Sequence, residues 1–410
     1  MAAEGETYYL AFPPNPKPYI STGLPFEKAC AHHVTNTFHA SKLYVIVSAS
    51  ISKTENFAKL QLGLEGKIVG IRYGIKPHTP WTDVLEIVND IKQKEADLIV
   101  TLGAGSLTDG AKIISFALAN QAFTLESLSR LPAPMKTPDL QPCQIPIINI
   151  PTSLSGGEYT STGGATEVQT HQKHSFAHPS MGADLVILDP TLSISTPERI
   201  WLSTGMRAVD HCVEGLCSTS PNSSDAIDAA YTKGLRLLVP SLLQTRVDWG
   251  NQDARLNEML GVIESLRGNK AGVPMGASHA VGHQLGPVGV GHGETSCVML
   301  PHVLKYNYKY GNQNVRALQK KVLNVFWDEE EIASMLRSRG VSSETADAGD
   351  VVGALVSELG LPRKLKDVQV SEDKLDSLAD NTMKDRWTPT NPVPLTDKSM
   401  VLEILNMALE

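Results

Sequence analysis

Three histidines in one short segment carry the chemistry this chain could do. His279 and His283 stand four apart in Ser278-His279-Ala280-Val281-Gly282-His283, and His292 follows in Gly289-Val290-Gly291-His292-Gly293-Glu294. Two imidazoles four apart share one face of a helix. Glycines leave the next turn narrow enough for a third to approach. Convergent imidazoles suit a metal or proton transfer. A fourth, His211, lies in Gly205-Met206-Arg207-Ala208-Val209-Asp210-His211-Cys212-Val213-Glu214.

The elements that would position these groups fall into two kinds. In the first half, short apolar runs (43–47, 67–71, 97–102 and 145–150) alternate with helical patterns such as 81–94. Near-continuous apolar strands between helices predict a parallel sheet covered on both faces. From about residue 196 the pattern turns helical, at 225–239, 254–266 and 315–325, with Thr196-Pro197-Glu198 as a helix start that puts proline first. The expectation is an α/β domain over 1–193 and an all-helical domain over 194–410. The polar run 342–350 reads as a loop without a role.

Composition narrows the partners. The 410 residues carry 36 basic and 44 acidic side chains, a net charge of −8, with no long basic run, which argues against nucleic acid. No apolar run approaches membrane-spanning length, and the N-terminus lacks the layout of a secretory signal. Five cysteines, an odd number without CxxC spacing, read as buried free thiols in a reducing, cytoplasmic setting. His32, His33, His39, His171, His174, His178 and His302 lie outside the motifs and read as surface or core residues.

Two loops suggest a nucleotide. Gly103-Ala104-Gly105-Ser106-Leu107-Thr108-Asp109-Gly110-Ala111-Lys112 follows the apolar run 97–102 and opens a helix, whose free N–H groups and dipole favour phosphate. The spacing is neither GxGxxG nor a P-loop. Pro151-Thr152-Ser153-Leu154-Ser155-Gly156-Gly157-Glu158 follows the next run. Paired loops of this kind at strand ends are where open α/β sheets bind ligands.

With these segments the chain resembles the iron-containing alcohol dehydrogenase family, near its maleylacetate reductases and within the dehydroquinate synthase-like fold. Gly103, Ala104, Gly105, Ser106, Asp109 and Lys112 match the family's GGGSxxDxxK with one alanine. Thr152 and Ser153 match its second loop, and Lys173 a lysine near the nicotinamide ribose. Asp189-Pro190-Thr191-Leu192 matches the link to the helical domain. Thr390-Asn391-Pro392 matches TNPR, with Val393 in place of arginine.

The resemblance implies a Rossmann-like dinucleotide-binding domain, an all-helical catalytic domain, catalysis in the cleft between them, and a homodimer. It implies hydride transfer between NAD(P) and a small carbonyl or conjugated carbonyl compound. It also implies a divalent iron or zinc held by an Asp and three histidines, matched by His211, His279 and His292, with His283 as proton donor or relay.

The metal aspartate's place holds Arg207, which only donates and cannot ligate a cation. Asp210, about 100° round the helix from His211, is a poor substitute. Low metal occupancy is therefore expected. Maleylacetate reductases resemble this case. Arg207 suits a substrate carboxylate or an oxyanion; the bland alternative is an ion pair with Asp210 or Glu214.

The run Val47-Ser48-Ala49-Ser50 offers no carboxylate to repel a 2′-phosphate, so NADPH is favoured slightly over NADH. The expected function is a metal-independent NAD(P)H-dependent reductase, with Arg207, His211 and His283 catalytic. The alternatives are a metal-dependent alcohol dehydrogenase, a lyase, cyclase or isomerase without net redox turnover, and a nucleotide-binding protein without catalysis.

Overall fold

The computed structural model describes residues 2–76, 78–133, 139–170 and 172–409, so His171 lies outside the described residues. Two compact units divide at 195/196.

The first unit is built on strands β1 (Thr7–Leu10), β2 (Tyr19–Thr22), β3 (Leu43–Val47), β4 (Ile68–Tyr73), β5 (Leu98–Gly103), β6 (Ile147–Pro151), β7 (Thr162–Thr166), β8 (Lys173–Ala177) and β9 (Leu185–Ile187). Its helices are α1 (Phe26–Asn36), α2 (Glu55–Gly63), α3 (Trp81–Lys94), α4 (Ser106–Ala119), and the single turns α5 (Leu125–Leu128) and α6 (Pro190–Ser193). Seven strands form one sheet in the order β1-β2-β9-β6-β5-β3-β4, parallel except for the antiparallel edge strand β1. Strands β7 and β8 form a separate antiparallel pair.

Alternation within β3 shows why both faces are covered. Leu43, Val45 and Val47 pack with α1 and α2, whereas Tyr44 and Ile46 pack with α3 and α4. The expected parallel sheet is present. The strands β1, β2, β7, β8 and β9 were not anticipated. They are three to five residues long, and Thr162–Thr166 reads TGGAT, with little apolar signal.

Among the described residues of the second unit there are helices and no strands: α7 (Glu198–Leu216), α8 (Asp225–Val247), α9 (Gln252–Ser265), the turn α10 (Arg267–Lys270), α11 (Ala277–Leu285), α12 (His292–Tyr310), α13 (Gln313–Asp328), α14 (Glu330–Ser338), α15 (Ala348–Glu358), α16 (Leu375–Thr382) and α17 (Lys398–Leu409). Pro197 occupies the N-cap of α7 rather than its first helical position, a one-residue correction. α8 continues past Pro240, where the sequence pattern stops at Val239. Proline removes one N–H, but packing along α9 holds the helix together across it. All five cysteines are free, and Cys143 is half-buried rather than buried. No helix of the described residues is long and apolar enough to cross a membrane.

Candidate active site

In the first unit, β3 has β4 on one side and β5 on the other, so the chain winds outward in both directions from that pair. Open α/β sheets bind ligands outside the strand ends at such a switch point. The loop after β5 adopts a shape only glycine holds easily. Gly105 has φ 59° and ψ −110°, and a Cβ there would have no atom within 4 Å. Gly103 is hemmed in instead, because a Cβ would lie 2.5 Å from Leu107 and 3.1 Å from Ser48. Among the described residues, the N–H groups of Gly105 and Ser106 donate to nothing. Free N–H groups at a helix start, facing open space, form an anion cradle.

The other loop residues divide between ligand-facing and structural places. The Thr152 N–H donates to the Gly103 carbonyl at 3.2 Å, which ties the second loop to the first. The Ser153 and Ser155 hydroxyls lie 3.0 Å apart. Asp109, expected near the cofactor, pairs with Lys112 at 2.9 Å and accepts from the Gly164 N–H at 3.2 Å. Fully buried Lys112 also donates to the carbonyls of Gly157 and Thr162 and to the Thr160 hydroxyl. This pair staples the second loop and the β7–β8 hairpin to α4. Lys173 is exposed on β8, and its side chain lies across Gly164, with Cε 2.5 Å from where a Cβ would stand.

In the second unit, Arg207, Asp210, His211 and Glu214 occupy one face of α7 by the i, i+3, i+4, i+7 rule. Glu214 accepts from the N–H groups of Gly276 (2.9 Å) and Ser278 (2.8 Å), capping α11. It also accepts from His279 Nδ1 at 2.8 Å, which leaves His279 Nε2 as the bare nitrogen, buried and without a partner. The His211 ring stacks on that of His279 with centroids 4.8 Å apart, and its Nδ1 is likewise buried and unpartnered. Asp210 accepts from the hydroxyls of Ser278 (2.8 Å) and Ser296 (2.6 Å).

Arg207 is buried. Its Nη1 donates to Ser296 Oγ at 3.1 Å and Thr295 Oγ1 at 3.3 Å, and its Nε has no partner among the described residues. A Cβ at Gly282 would lie 3.4 Å from that Nη1, so the glycine of α11 gives the guanidinium its room. Among the described residues no carboxylate oxygen comes within 4.0 Å of it. The direct ion pair with Asp210 or Glu214 is therefore absent, and the compensation acts through space.

Burial dominates the electrostatics. It pushes Asp210 up to about 8, with Glu214 adding to the rise and Arg207 opposing it. Glu214 rises to about 7 against the α11 N–H groups and Arg207. Burial thus works against two charged carboxylates side by side, and Arg207 is the positive charge that favours their ionised forms. Burial and neighbouring positive charge hold His211 and His279 well below the ordinary histidine range, so both are neutral.

His283 is one-third exposed on the last turn of α11, and its Nδ1 lies 2.9 Å from Asp385 Oδ2. The other oxygen of Asp385 accepts from the Trp387 N–H at 2.9 Å. Asp385 escaped the sequence reading because nothing in Lys384-Asp385-Arg386 marks it. Glu214 had a detectable signal, lying three residues past His211 on the same face. His292 is the exposed first residue of α12.

The comparisons with known proteins agree with this architecture. Residues 22–190 match the iron-containing alcohol dehydrogenase model, and residues 201–409 match the model of that family's C-terminal domain. The chain belongs to the iron-containing alcohol dehydrogenase family. It is an oxidoreductase of that family. Over the full length of both chains it is 43% identical to "Dehydrogenase FUM7" of Gibberella moniliformis. It is also 43% identical to "Dehydrogenase ALT3" of Alternaria alternata, over 90% of this chain and 100% of that one. Among solved structures, maleylacetate reductase from Agrobacterium tumefaciens superposes with a TM-score of 0.73 at 22% identity, covering 98% of this chain and 99% of the other. A 1,3-propanediol oxidoreductase reaches 0.80 at 24% identity, with 98% and 100% covered. These structural likenesses establish the fold, including the expected α/β and all-helical halves.

Proposed function

We propose that this member of the family is an NAD(P)H-dependent reductase of a small carbonyl or unsaturated keto compound, able to carry a carboxylate, and that it works without a resident metal. The observation that carries this reading is the buried guanidinium of Arg207 beside two neutral imidazoles. A dication held by His211, His279 and His292 would face that fixed positive charge in a poorly screened interior.

Asp210, Glu214 and His279 offer three ligand atoms within 4.8 Å of one another; both Glu214 oxygens and Asp210 Oδ2 already serve N–H and hydroxyl donors, while Asp210 Oδ1 has no partner among the described residues. A cation there would have to unseat the cap of α11. The fixed charge of Arg207 beside these donors supports the metal-free reading.

The free N–H groups of Gly105 and Ser106, with Thr152 and Ser153 of the second loop, would hold the phosphates of NAD(P)H, and Lys173 would serve the ribose. Ala104 keeps the turn small, and Asp109 holds it through Lys112. A bound nicotinamide would supply hydride to an electrophilic carbon; Arg207, with His211 beside it, would stabilise negative charge developing on the substrate oxygen. His283, oriented by Asp385, supplies the balancing proton through Nε2. Serines at the end of β3 favour NADPH over NADH. The absence of disulfides among the described residues supports a cytoplasmic address, and a homodimer follows the family expectation.

The test is nicotinamide oxidation with a carbonyl panel, with and without chelator, alongside metal analysis of protein purified without added metal. The expected result is turnover that survives chelation, with well under one equivalent of iron or zinc. Arg207→Asp should gain divalent-metal affinity and lose native activity. A full equivalent of tightly bound metal in the wild type, with activity abolished by chelation, would restore the metal-dependent mechanism. Product formed without net nicotinamide oxidation would mark a lyase or isomerase instead.

A further inference from the structure

The second unit contains a cavity of about 440 Å³ that the redox site does not use. One wall is α12, through Cys297, Pro301, His302 and Lys305; the opposite wall is α15, through Gly349 and Gly353. The loop 340–346 and the turn at Arg363 and Lys364 close the remaining sides. The polar run 342–350, without a role in the sequence reading, thus lines a chamber of the size that takes a small organic molecule.

Its lining has two characters. Pro301, Val341 and Ala354 give it an apolar body. Its charged groups are mostly positive, and they are not equally engaged. Lys305 pairs with Asp347 at 3.2 Å and Asp350 at 2.5 Å, and Arg339 pairs with Glu358 at 2.5 Å. Arg363 and Lys364 are exposed and enter no ion pair among the described residues. The Asp367 carboxylate beside them accepts from their backbone N–H groups, at 2.9 and 3.0 Å.

His302 lies among these cations. Its Nδ1 donates to the Val298 carbonyl at 2.8 Å, and burial together with Lys305, Arg363 and Lys364 holds the imidazole below its ordinary range. Arg363 and Lys364 are thus the two lining cations that no carboxylate pairs among the described residues.

We propose that this cavity binds a small amphipathic anion, a carboxylate on an apolar body of a few carbons, with the head at Arg363 and Lys364 and the body against Pro301, Val341 and Ala354. A bare inorganic anion would leave the apolar wall wet, and an uncharged alcohol would leave the two cations unmet. One wall of the site is α12, whose Thr295 and Ser296 hold Arg207.

Gly353 supplies a variant that blocks the chamber. A Cβ there would meet only Pro301 Cβ, at 3.8 Å, an ordinary contact, so Gly353→Leu fills space without a backbone clash and gains helix propensity. Calorimetry of the full chain with hexanoate, hexan-1-ol and inorganic phosphate decides the matter. Hexanoate should bind with a dissociation constant of about 1 mM or tighter. Hexan-1-ol and phosphate should each bind at least about tenfold more weakly.

The double variant Arg363→Ala, Lys364→Ala should weaken hexanoate about tenfold. Gly353→Leu should abolish binding without lowering the melting temperature. Hexan-1-ol or phosphate binding as well as hexanoate would overturn the assignment. So would hexanoate binding that neither variant changes, since that binding lies elsewhere. Should Gly353→Leu fail to fold, the exposed Arg363 and Lys364 pair still decides.

Discussion

Asp385→Asn isolates the proton-donating half of the proposed reaction. Asp385 Oδ2 accepts from His283 Nδ1 at 2.9 Å, and its other oxygen accepts from the Trp387 N–H, so the carboxylate is fixed at both ends. Asparagine can keep the Trp387 contact, but it then turns its NH₂ towards Nδ1. An imidazolium carries hydrogen on both nitrogens and would lose its acceptor there. A hydrogen bond to a charged group is worth about 1.5–3 kcal/mol, which is roughly 10- to 150-fold in rate at 1.36 kcal/mol per decade.

The 34% exposure of the His283 side chain lets water replace part of the lost interaction, which places the expectation at the lower end, about 10- to 30-fold in kcat. His283→Ala should cost roughly 10²-fold or more, the usual range for a lost acid–base group. Steady-state nicotinamide oxidation across pH 6–9 reads both, with KM for the nicotinamide and the melting temperature as controls. Wild-type kcat across that range, or a loss matched by a lower melting temperature, would refute the positioning role.

Two further outcomes test other parts of the molecule. Gly105→Asp should lose nicotinamide cofactor binding far beyond Gly105→Ala, since both share the φ 59° strain but only aspartate brings negative charge to the free N–H groups; equal affinities by calorimetry would remove this loop as the cradle. Burial raises Glu258 to about 7 from the free value of about 4.3, although Trp201 and Arg255 favour its carboxylate. Between those values the unfolded chain releases a proton that the folded chain keeps, so the contribution falls as pH rises from about 4.5 to 7. Denaturation midpoints at pH 5 and pH 8 should therefore differ less in Glu258→Gln than in the wild type, and equal differences would show Glu258 to be ionised throughout.

The sequence revealed those parts of the fold whose signal is local. Apolar runs bounded by turns located β3, β4, β5 and β6, and helical spacing set α3 at its observed limits. The hairpin β7–β8 was illegible because its residues are small and polar, and its hold on α4 comes from buried Lys112, 45–50 residues away in sequence. In the second unit the imidazoles stood out by type and spacing, but their partners did not. His279 finds Glu214 65 residues upstream, and His283 finds Asp385 102 residues downstream. Arg207 was conspicuous as a residue, whereas its bonds to Thr295 and Ser296 needed α12 to be placed beside α7.

The two tasks of Glu214 bear on how such a site can change over generations. The same carboxylate that aims His279 also caps α11. Substitution at 214 would disturb the imidazole and the start of that helix together, so selection for a correctly folded chain also preserves the orientation of a ring that touches solvent hardly at all. Thr295 is buried too, but its hydroxyl meets only Arg207 and the His292 carbonyl and caps no helix, and Ser296 also holds the guanidinium, so a change there would touch one side of the site. Laboratory evolution towards new substrates would be expected to accept replacements at 295 long before it accepts any at 214.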